Sequence, residues 1–260
     1  MTLASSTNAT RCAAKCMRRL QHRASRRFAW HWQPVQVAGR TIPLAVPSNP
    51  LQLLSDLCGR RMSDGSEVSD PFWAQVWRST AGIDAYLGRR NLADERVLEL
   101  GCGTGAAGIA ALLRGADVTF TDGVSAPLLL VRISLAALEF QRCSDECNPA
   151  SIRADFPRPQ TLPTNRWRVR RLRFGRDPLA AQQYSLIIGS DISYLKEVWP
   201  ELLQTLDTHL VDGGEALLSD PYRSISTEFS AWVRSRQWRA DEVHQPLDDT
   251  SIRVLKLTRR

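Results

Sequence analysis

Short apolar runs bounded by turn residues alternate with longer amphipathic stretches through most of the chain. Such runs are typical of parallel strands buried on both faces, and the amphipathic stretches are typical of helices packed on a sheet. Strand and helix in alternation predict a three-layer α/β fold with a twisted, mostly parallel sheet. The last two strands, separated by a short polar segment, predict an antiparallel pair that closes the sheet. The predicted strands are 97–100, 116–122, 167–174, 184–191, 215–220, 238–243 and 251–257, and the predicted helices are 80–87, 106–113, 127–140, 197–210 and 227–236.

The N-terminal part of the chain has a different pattern and predicts an extension of the main domain. Apolar and polar residues alternate over 35–37 and again over 42–44, on either side of a turn at Gly39, which predicts a β-hairpin. A short helix over 51–57 and a polar, turn-rich loop over 63–70 follow it. We therefore expect a disordered basic leader over residues 1–29, a hairpin and linker extension over 30–70, and the main domain over 71–260.

The net charge of +7 is concentrated at the N-terminus. Residues 1–27 carry seven basic side chains and no acidic one, so the other 27 basic residues equal the 27 acidic ones in number. The rest of the chain therefore has no net charge, whereas nucleic-acid-binding domains are typically basic, and we expect no nucleic-acid partner. Residues 1–27 lack the apolar segment of a secretory signal, and their composition fits a disordered leader and equally a mitochondrial transit peptide.

Cysteine spacing and hydropathy limit the compartment and the chemistry. The six cysteines form no C-x-x-C pair and have no histidine at a ligand spacing, so we expect free thiols, a reducing compartment and no metal site. No apolar run reaches the length of a membrane span, so we expect no membrane partner. The expected location is the cytoplasm, or the mitochondrial matrix if residues 1–27 are a transit peptide, and the expected state is a monomer.

Residues 97–105, Val-Leu-Glu-Leu-Gly-Cys-Gly-Thr-Gly, carry the strongest chemical signal. A strand that runs into closely spaced glycines and then into a helix of small residues is the context of a nucleotide-type cofactor site, because glycine lets the backbone approach a ligand. Read as Gly101-x-Gly103-x-x-Ala106, the loop also fits a dinucleotide fingerprint. Glu99 at the strand tip argues against a pyrophosphate and suits a ligand that carries an ammonium and a sulfonium.

A second acid, Asp122, ends the next predicted strand and reaches the same edge of the sheet. A carboxylate there can accept hydrogen bonds from both hydroxyls of a ribose, and it can also cap the following helix. The spacing Glu99-x-Gly101-x-Gly103-x-Gly105 resembles motif I of the class I, seven-β-strand methyltransferases that depend on S-adenosylmethionine. The resemblance implies a Rossmann-like seven-stranded sheet, mostly parallel with an antiparallel last strand, and S-adenosylmethionine as the cofactor.

Two further segments narrow the resemblance to the family-16 protein-lysine methyltransferases, a group that includes the enzyme acting on the electron-transfer flavoprotein β subunit. Pro71-Phe-Trp-Ala-Gln-Val-Trp77 resembles that family's Pro-Phe-Trp-Ala…Trp segment, and Asp191-Ile-Ser-Tyr194 resembles its Asp-x-x-Tyr motif. The resemblance implies that Trp77 lines the cofactor pocket, with core packing as the alternative. It also implies that Asp191 holds the acceptor amine and that Tyr194 flanks it. The alternative is a purely structural role, in which Asp191 caps the following turn and Tyr194 packs in the core.

Two other positions depart from the family pattern or match it loosely. The family's Leu-Asp-Trp segment stands here as Leu172-Arg173-Phe174, so the acid beside the adenine is missing, and Asp177 or a backbone amide is expected to substitute for it. Asp220-Pro-Tyr-Arg223 resembles an Asp-Pro-x-Arg segment of the family, so Arg223 either shapes the acceptor mouth or belongs to a turn.

The sequence therefore predicts an enzyme that transfers a methyl group from S-adenosylmethionine to an amine, with a protein lysine side chain as the expected acceptor. A small-molecule N-methyltransferase and a non-catalytic binding module on the same fold are the alternatives, and the arginines of 150–176 leave RNA as a further acceptor. Asp191 and Tyr194 are the candidate catalytic residues. The candidate cofactor-binding residues are Trp77, Glu99, Gly101, Cys102, Gly103, Gly105, Asp122 and Phe174.

Overall fold

A hairpin and a seven-stranded sheet make up the β structure of this computed structural model. The structure describes residues 3–53, 71–88, 90–147, 167–177, 179, 182–247 and 250–260. The described strands are β1 (Trp30–Val37), β2 (Arg40–Pro47), β3 (Arg96–Glu99), β4 (Asp117–Asp122), β5 (Trp167–Arg171), β6 (Tyr184–Ser190), β7 (Leu210–Asp220), β8 (Trp238–Leu247) and β9 (Thr250–Arg259). The α-helices longer than one turn are α1 (Leu3–Ser25), α2 (Ser79–Leu87), α3 (Ala106–Leu112), α4 (Ser125–Cys147), α5 (Trp199–His209) and α6 (Ser224–Arg234).

The sheet has the strand order β5-β4-β3-β6-β7-β9-β8. Strands β3 to β7 pair in parallel, whereas β9 runs antiparallel to both β7 and β8. Val97 packs with α2, α3 and α4 on one face, and its neighbour Leu98 packs with α5 and α6 on the other. Since both side chains are fully buried, helices cover both faces of the sheet, and the predicted three-layer α/β fold is confirmed.

Some strand boundaries differ from the predicted ones. The pairing of β8 with β9 continues to Leu247 and Thr250, so most of the predicted polar loop over 244–249 is strand. In this segment Gln245 is buried while its neighbours His244 and Pro246 are exposed, which is the alternation of a strand with one covered face. The sequence does not show this alternation, because the buried residue is itself polar.

The predicted hairpin is present as β1 and β2, joined by a two-residue turn. Ala38 and Gly39 at that turn have φ values of 53° and 70°. Positive φ at both central positions is typical of a type I′ turn, whose twist matches that of the two strands. The Ala38 backbone N–H donates to the carboxylate of Asp84 in α2, which attaches the hairpin to the main domain.

The first residues form the helix α1, which differs from the disordered leader that the composition predicts. Leu20 and Ala24, one helical turn apart, face Leu129 and Ile133 of α4 in a shared apolar cluster. The basic residues of α1 mask this narrow apolar stripe in the composition, because a stripe is set by spacing and not by content. Tertiary packing on α4 therefore stabilises a helix that the charge pattern did not indicate.

Several predictions fall on residues that the structure does not describe. The helix predicted over 51–57 is helical as far as Leu53, and its remainder lies outside the described residues, as does the loop over 63–70. The first part of the arginine-rich segment, up to residue 166, also lies outside them. Within the described part of the chain, no helix combines the length and the apolar character needed to cross a membrane.

Candidate active site

A cleft of about 270 Å³ opens at the carboxyl ends of β3, β4 and β6. The strand order reverses between β3 and β6, because β4 follows on one side of β3 and β6 lies on the other. Ligands of open α/β sheets bind at such a switch point, where the loops after adjacent strands diverge. Glu99, Asp122 and Asp191 lie at the tips of these three strands and line the cleft.

The glycine loop after β3 forms one wall of the cleft. Gly101 and Gly103 have φ values of 57° and 49°, in the region that favours glycine. A Cβ on Gly101 would lie 2.7 Å from Ile192 Cγ2, and one on Gly103 would lie 3.3 Å from the carbonyl oxygen of Trp73. These two positions thus bring bare backbone to the cleft, whereas Gly105 packs against Val131 and does not line it.

Asp122 is held by two backbone amides at the end of β4. The N–H of Gly103 donates to Oδ2 over 3.1 Å, and the N–H of Val124 donates to Oδ1 over 2.9 Å. Burial raises the pKa of this carboxyl to about 6, although both amides counteract the rise. The carboxylate thus joins the glycine loop to the start of α4, and each oxygen keeps a second lone pair for a ligand.

Glu99 is buried beneath the glycine loop with an incomplete set of partners. Its Oε2 makes no hydrogen bond within the described structure. Burial raises the pKa of the carboxyl to about 8; the Gly108 backbone N–H lowers it, and the negative charge of Asp122 raises it further. A cation bound beside the two acids would favour their ionised forms, so this end of the cleft suits a positively charged ligand.

Asp191 lies at the tip of β6 in a backbone conformation that is uncommon for aspartate, with a φ of 54°. Its backbone N–H donates to Ser219 of β7 over 2.9 Å, and the buried Ser79 hydroxyl of α2 donates to Oδ2. Burial raises the pKa of the Asp191 carboxyl, Ser79 and Arg223 lower it, and Asp220 raises it. Two neighbouring elements therefore fix the direction of this carboxylate.

Aromatic rings form the wall beside Asp191. Phe72 contacts Trp77 and Tyr194 edge to face, with ring centroids 6.0 Å apart in each pair. The Trp77 Nε1–H donates to the carbonyl oxygen of Phe72 over 2.8 Å, which fixes the indole in the wall. Trp77 is partly exposed and lines the cleft, so it is not a plain core residue.

The turn after β5 supplies Phe174 to the cleft but leaves the nearby charges outside it. Arg173 turns to Asp177, with Nε and Oδ2 2.9 Å apart. Hydrogen bonds from the Arg173 side chain and backbone hold the pKa of Asp177 down to about 2. Asp177 is thus committed to Arg173 and does not line the cleft, and the expectation that it replaces the missing acid is not supported.

The cleft brings together nearly all of the predicted site residues, with Gly105 as the exception. The residues that line it are Trp77, Glu99, Gly101, Cys102, Gly103, Asp122, Phe174, Asp191 and Tyr194. Sequence reasoning missed Ser79, because its contact with Asp191 joins residues far apart in the chain. Cys102 is buried, and burial raises the pKa of its thiol. Among the described residues, no cluster of three or more His, Cys, Asp or Glu side chains can hold a metal.

The chain is similar in sequence to a known family and to several known proteins. The family model for a methyltransferase domain matches residues 72–255. The chain is 36% identical to the protein N-lysine methyltransferase METTL21A of Danio rerio, over 56% of this chain and 58% of that protein. It is 31% identical to EEF1A lysine methyltransferase 3 of Mus musculus, over 70% of this chain and 71% of that protein. The matched region thus spans less than two thirds of the Danio rerio relative.

A solved structure adds support for the fold alone. The crystal structure of a methyltransferase from Pyrococcus furiosus superposes with a TM-score of 0.51 at 12% identity, over 80% of this chain and 97% of that one. The likeness supports the α/β fold described above.

Proposed function

We propose that this chain, which belongs to the methyltransferase-domain family, transfers a methyl group from S-adenosylmethionine to a lysine side chain of a protein. The observation that carries the proposal is the acid-lined cleft, in which two carboxylates lie by the glycine loop and a third faces an aromatic wall. The relatives METTL21A and EEF1A lysine methyltransferase 3 are named for lysine acceptors, which favours this substrate class over other amines.

The residues of the cleft fit the proposed cofactor. Glu99 has a buried oxygen without a hydrogen bond within the described structure, and Gly101 and Gly103 line the cleft with backbone that carries no side chain. We assign Asp122 to the ribose hydroxyls, Glu99 to the cationic amino-acid portion, and Phe174 to the face of the adenine. When bound, S-adenosylmethionine supplies an activated methyl group on a sulfonium, so the protein has to supply orientation and exclude water.

Asp191 and Tyr194 are proposed to prepare the acceptor amine. A lysine ammonium must lose a proton before its nitrogen can react, and a desolvated position lowers the pKa of an ammonium. Asp191 Oδ1 can accept a hydrogen bond from the acceptor nitrogen and so orient it, while the aromatic wall of Tyr194, Phe72 and Trp77 excludes water. The raised pKa of Asp191 allows its carboxyl to hold the departing proton for a time.

The experiment that tests the proposal is incubation of the purified chain with tritiated S-adenosylmethionine and a cell extract. We expect a labelled protein band, and hydrolysis of that band should yield labelled N-methyl-lysine. Asp191→Asn should reduce labelling by about 100-fold or more, a loss typical of removing a positioned catalytic group. Asp241→Asn, an exposed change on β8, serves as the matched control and should leave labelling unchanged.

Other results of the same assay would contradict the proposal in distinct ways. Label confined to small molecules would identify a small-molecule N-methyltransferase, and label in RNA would identify an RNA acceptor. Calorimetry that detects no binding of S-adenosylhomocysteine would indicate a non-catalytic binding module. If Asp191→Asn also loses affinity for S-adenosylhomocysteine, the residue serves the cofactor and not the acceptor.

The organisation of the chain in the cell belongs to the same proposal. We divide the chain into a leader (1–29), a hairpin and linker extension (30–70) and a methyltransferase domain (71–260), and we propose that it acts as a cytoplasmic monomer. The mitochondrial matrix is the alternative location, if residues 1–27 serve as a transit peptide. Light scattering after gel filtration tests the monomeric state. Fractionation of cells that express the full chain tests the location.

A further inference from the structure

The side chain of Arg223 contacts both Asp191, the carboxylate proposed to hold the acceptor amine, and Trp77 of the aromatic wall. Its Nη1 lies 3.3 Å from Asp191 Oδ1, and its guanidinium carbon lies 5.4 Å from the centroid of the Trp77 ring. The Asp191 side chain is 5% exposed and that of Arg223 is 35% exposed, so the guanidinium reaches inward from the surface. A carboxylate beside an aromatic face is the environment that binds an alkylammonium ion.

The contacts of Arg223 are looser than those of the other arginine near the end of β7. Arg253 is 2% exposed and donates to both carboxylate oxygens of Asp220. Oδ1 of Asp191, in contrast, forms no hydrogen bond within the described structure, so the guanidinium is held by charge and ring contact without a hydrogen bond to that oxygen. Arg223 is therefore held less firmly than Arg253, which is buried and hydrogen-bonded to its carboxylate.

The backbone around Arg223 allows this side chain to leave. Arg223 precedes α6 with extended angles, φ −72° and ψ 146°, and follows Tyr222, whose φ is 58°. The residue therefore lies on a short connection between β7 and α6, and a change of its side-chain rotamer leaves both elements in place.

We propose that Arg223 is a resident cation in the acceptor subsite, which an incoming alkylammonium must displace from Asp191 and Trp77. The inference rests on the proposed function, because it takes this end of the cleft as the place where an amine enters. A free amine must compete with a tethered guanidinium for one carboxylate and one ring. A lysine on a protein surface brings further contacts, so Arg223 makes the subsite selective for lysine within a protein.

The test uses n-butylammonium chloride as a probe for the end of a lysine side chain. Its dissociation constant is measured by NMR titration of the tryptophan Nε1–H signals in the ¹⁵N-labelled chain. In Arg223→Gln the dissociation constant should fall by about fivefold, which is the gain expected from removing a cation that competes for a ring and a carboxylate. Adding Asp191→Asn to that variant should abolish the gain.

Arg236→Gln is the matched control. The guanidinium carbon of Arg236 lies 3.8 Å from the centroid of the Trp232 ring, and Trp232, unlike Trp77, does not line the cleft, so removing Arg236 should not change the affinity for n-butylammonium. An unchanged or weaker affinity in Arg223→Gln would overturn the proposal, because it would make Arg223 part of the binding site. A second measurement needs no variant: titration of the unchanged chain should shift the Arg223 Nε–H signal, and a constant signal would also overturn the proposal.

The probe does not depend on methyl transfer, so the two proposals can fail separately. If the tritium assay labels no protein but Arg223→Gln still gains affinity for n-butylammonium, the proposed function fails and the resident cation stands. If a protein is labelled and the variant gains nothing, the proposed function stands and this inference fails. Unchanged affinity of Arg223→Gln for S-adenosylhomocysteine verifies that the fold and the cofactor end of the cleft are intact.

Discussion

Replacing Glu99 by glutamine should remove a large part of the pH dependence of folding stability between pH 4.5 and pH 8. The pKa of this carboxyl is raised from 4.5 to about 8 in the folded, ligand-free chain. Below pH 4.5 the group is protonated in both the folded and the unfolded chain, so its burial carries no ionisation cost. Above that pH the unfolded chain releases the proton and the folded chain keeps it, so the free energy of unfolding falls as the pH rises.

The size of the effect follows from the shift in pKa. One pKa unit corresponds to about 1.4 kcal/mol, so the full window costs the folded chain about 5 kcal/mol by pH 8. This is a large part of the stability of a typical domain, which is about 5–15 kcal/mol. Glutamine resembles the protonated carboxyl in shape and does not titrate, so Glu99→Gln should be about as stable as the parent at pH 4.5 and far more stable at pH 8.

Urea denaturation of the ligand-free chain at pH 4.5, 6.5 and 8.5 measures the difference. The midpoints of the parent and of Glu99→Gln should diverge as the pH rises, with little change in the slope of unfolding free energy against urea. Glu139→Gln, an exposed change on α4, should follow the parent at every pH. If the parent and Glu99→Gln lose stability in parallel, the folded chain ionises Glu99 at an ordinary pH, and our account of its burial is wrong.

The same titration connects Glu99 to the proposed cofactor. A cationic ligand favours the ionised carboxyl, so binding at pH 7 should release a proton from the parent and fewer protons from Glu99→Gln. Calorimetry in two buffers of different ionisation enthalpy counts these protons. Equal proton release by the two proteins would place the cation of the ligand away from Glu99.

Two further substitutions test the packing around the cleft. Gly108→Ala should lower the free energy of unfolding by about 1–3 kcal/mol. The new Cβ would lie 2.8 Å from Phe120 Cδ1 and would also contact Glu99 Oε2. This overpacking outweighs the gain expected from the higher helix propensity of alanine. Urea denaturation measures this change in the free energy of unfolding. A variant more stable than the parent would show that α3 can shift to accommodate the new Cβ. Arg253→Met should lower the free energy of unfolding by about 3–5 kcal/mol, because it leaves the buried Asp220 carboxylate without its ion-pair partner. Asp220→Leu in the same chain should recover much of the loss. If Arg253→Met alone is as stable as the parent, the ion pair does not stabilise the fold.

The cofactor side of the cleft could be predicted from the sequence because its signals are local. Glu99, the glycines and Asp122 each lie directly after an apolar run, and the carboxyl ends of parallel strands meet at one edge of a sheet. The position of Gly105 shows the limit of this reasoning. The spacing placed it with the other two glycines, but its positive φ serves the start of α3, and its Cα faces Val131.

The acceptor side could be predicted only in part, because its contacts join distant segments. Asp191 was identified by a motif, but nothing near it in the sequence indicates that Ser79 bonds to one of its oxygens and Arg223 lies beside the other. The helix α1 was missed for a related reason. Its apolar stripe gains meaning only when α4 lies opposite, and the arginine content of the segment hides that stripe.

Because α1 packs next to the cleft, ligand binding in the cleft should affect how easily proteases cleave α1. Trp73 lines the cleft and also belongs to the cluster that contains Ala24, so one side chain borders both the proposed cofactor and α1. Exposed arginines on α1 are cleavage sites for trypsin-like proteases, which act on backbone that has opened. A ligand that contacts Trp73 and binds only while this cluster is packed lowers the open fraction of α1 by mass action, so we expect occupancy of the cleft to slow cleavage within this N-terminal helix.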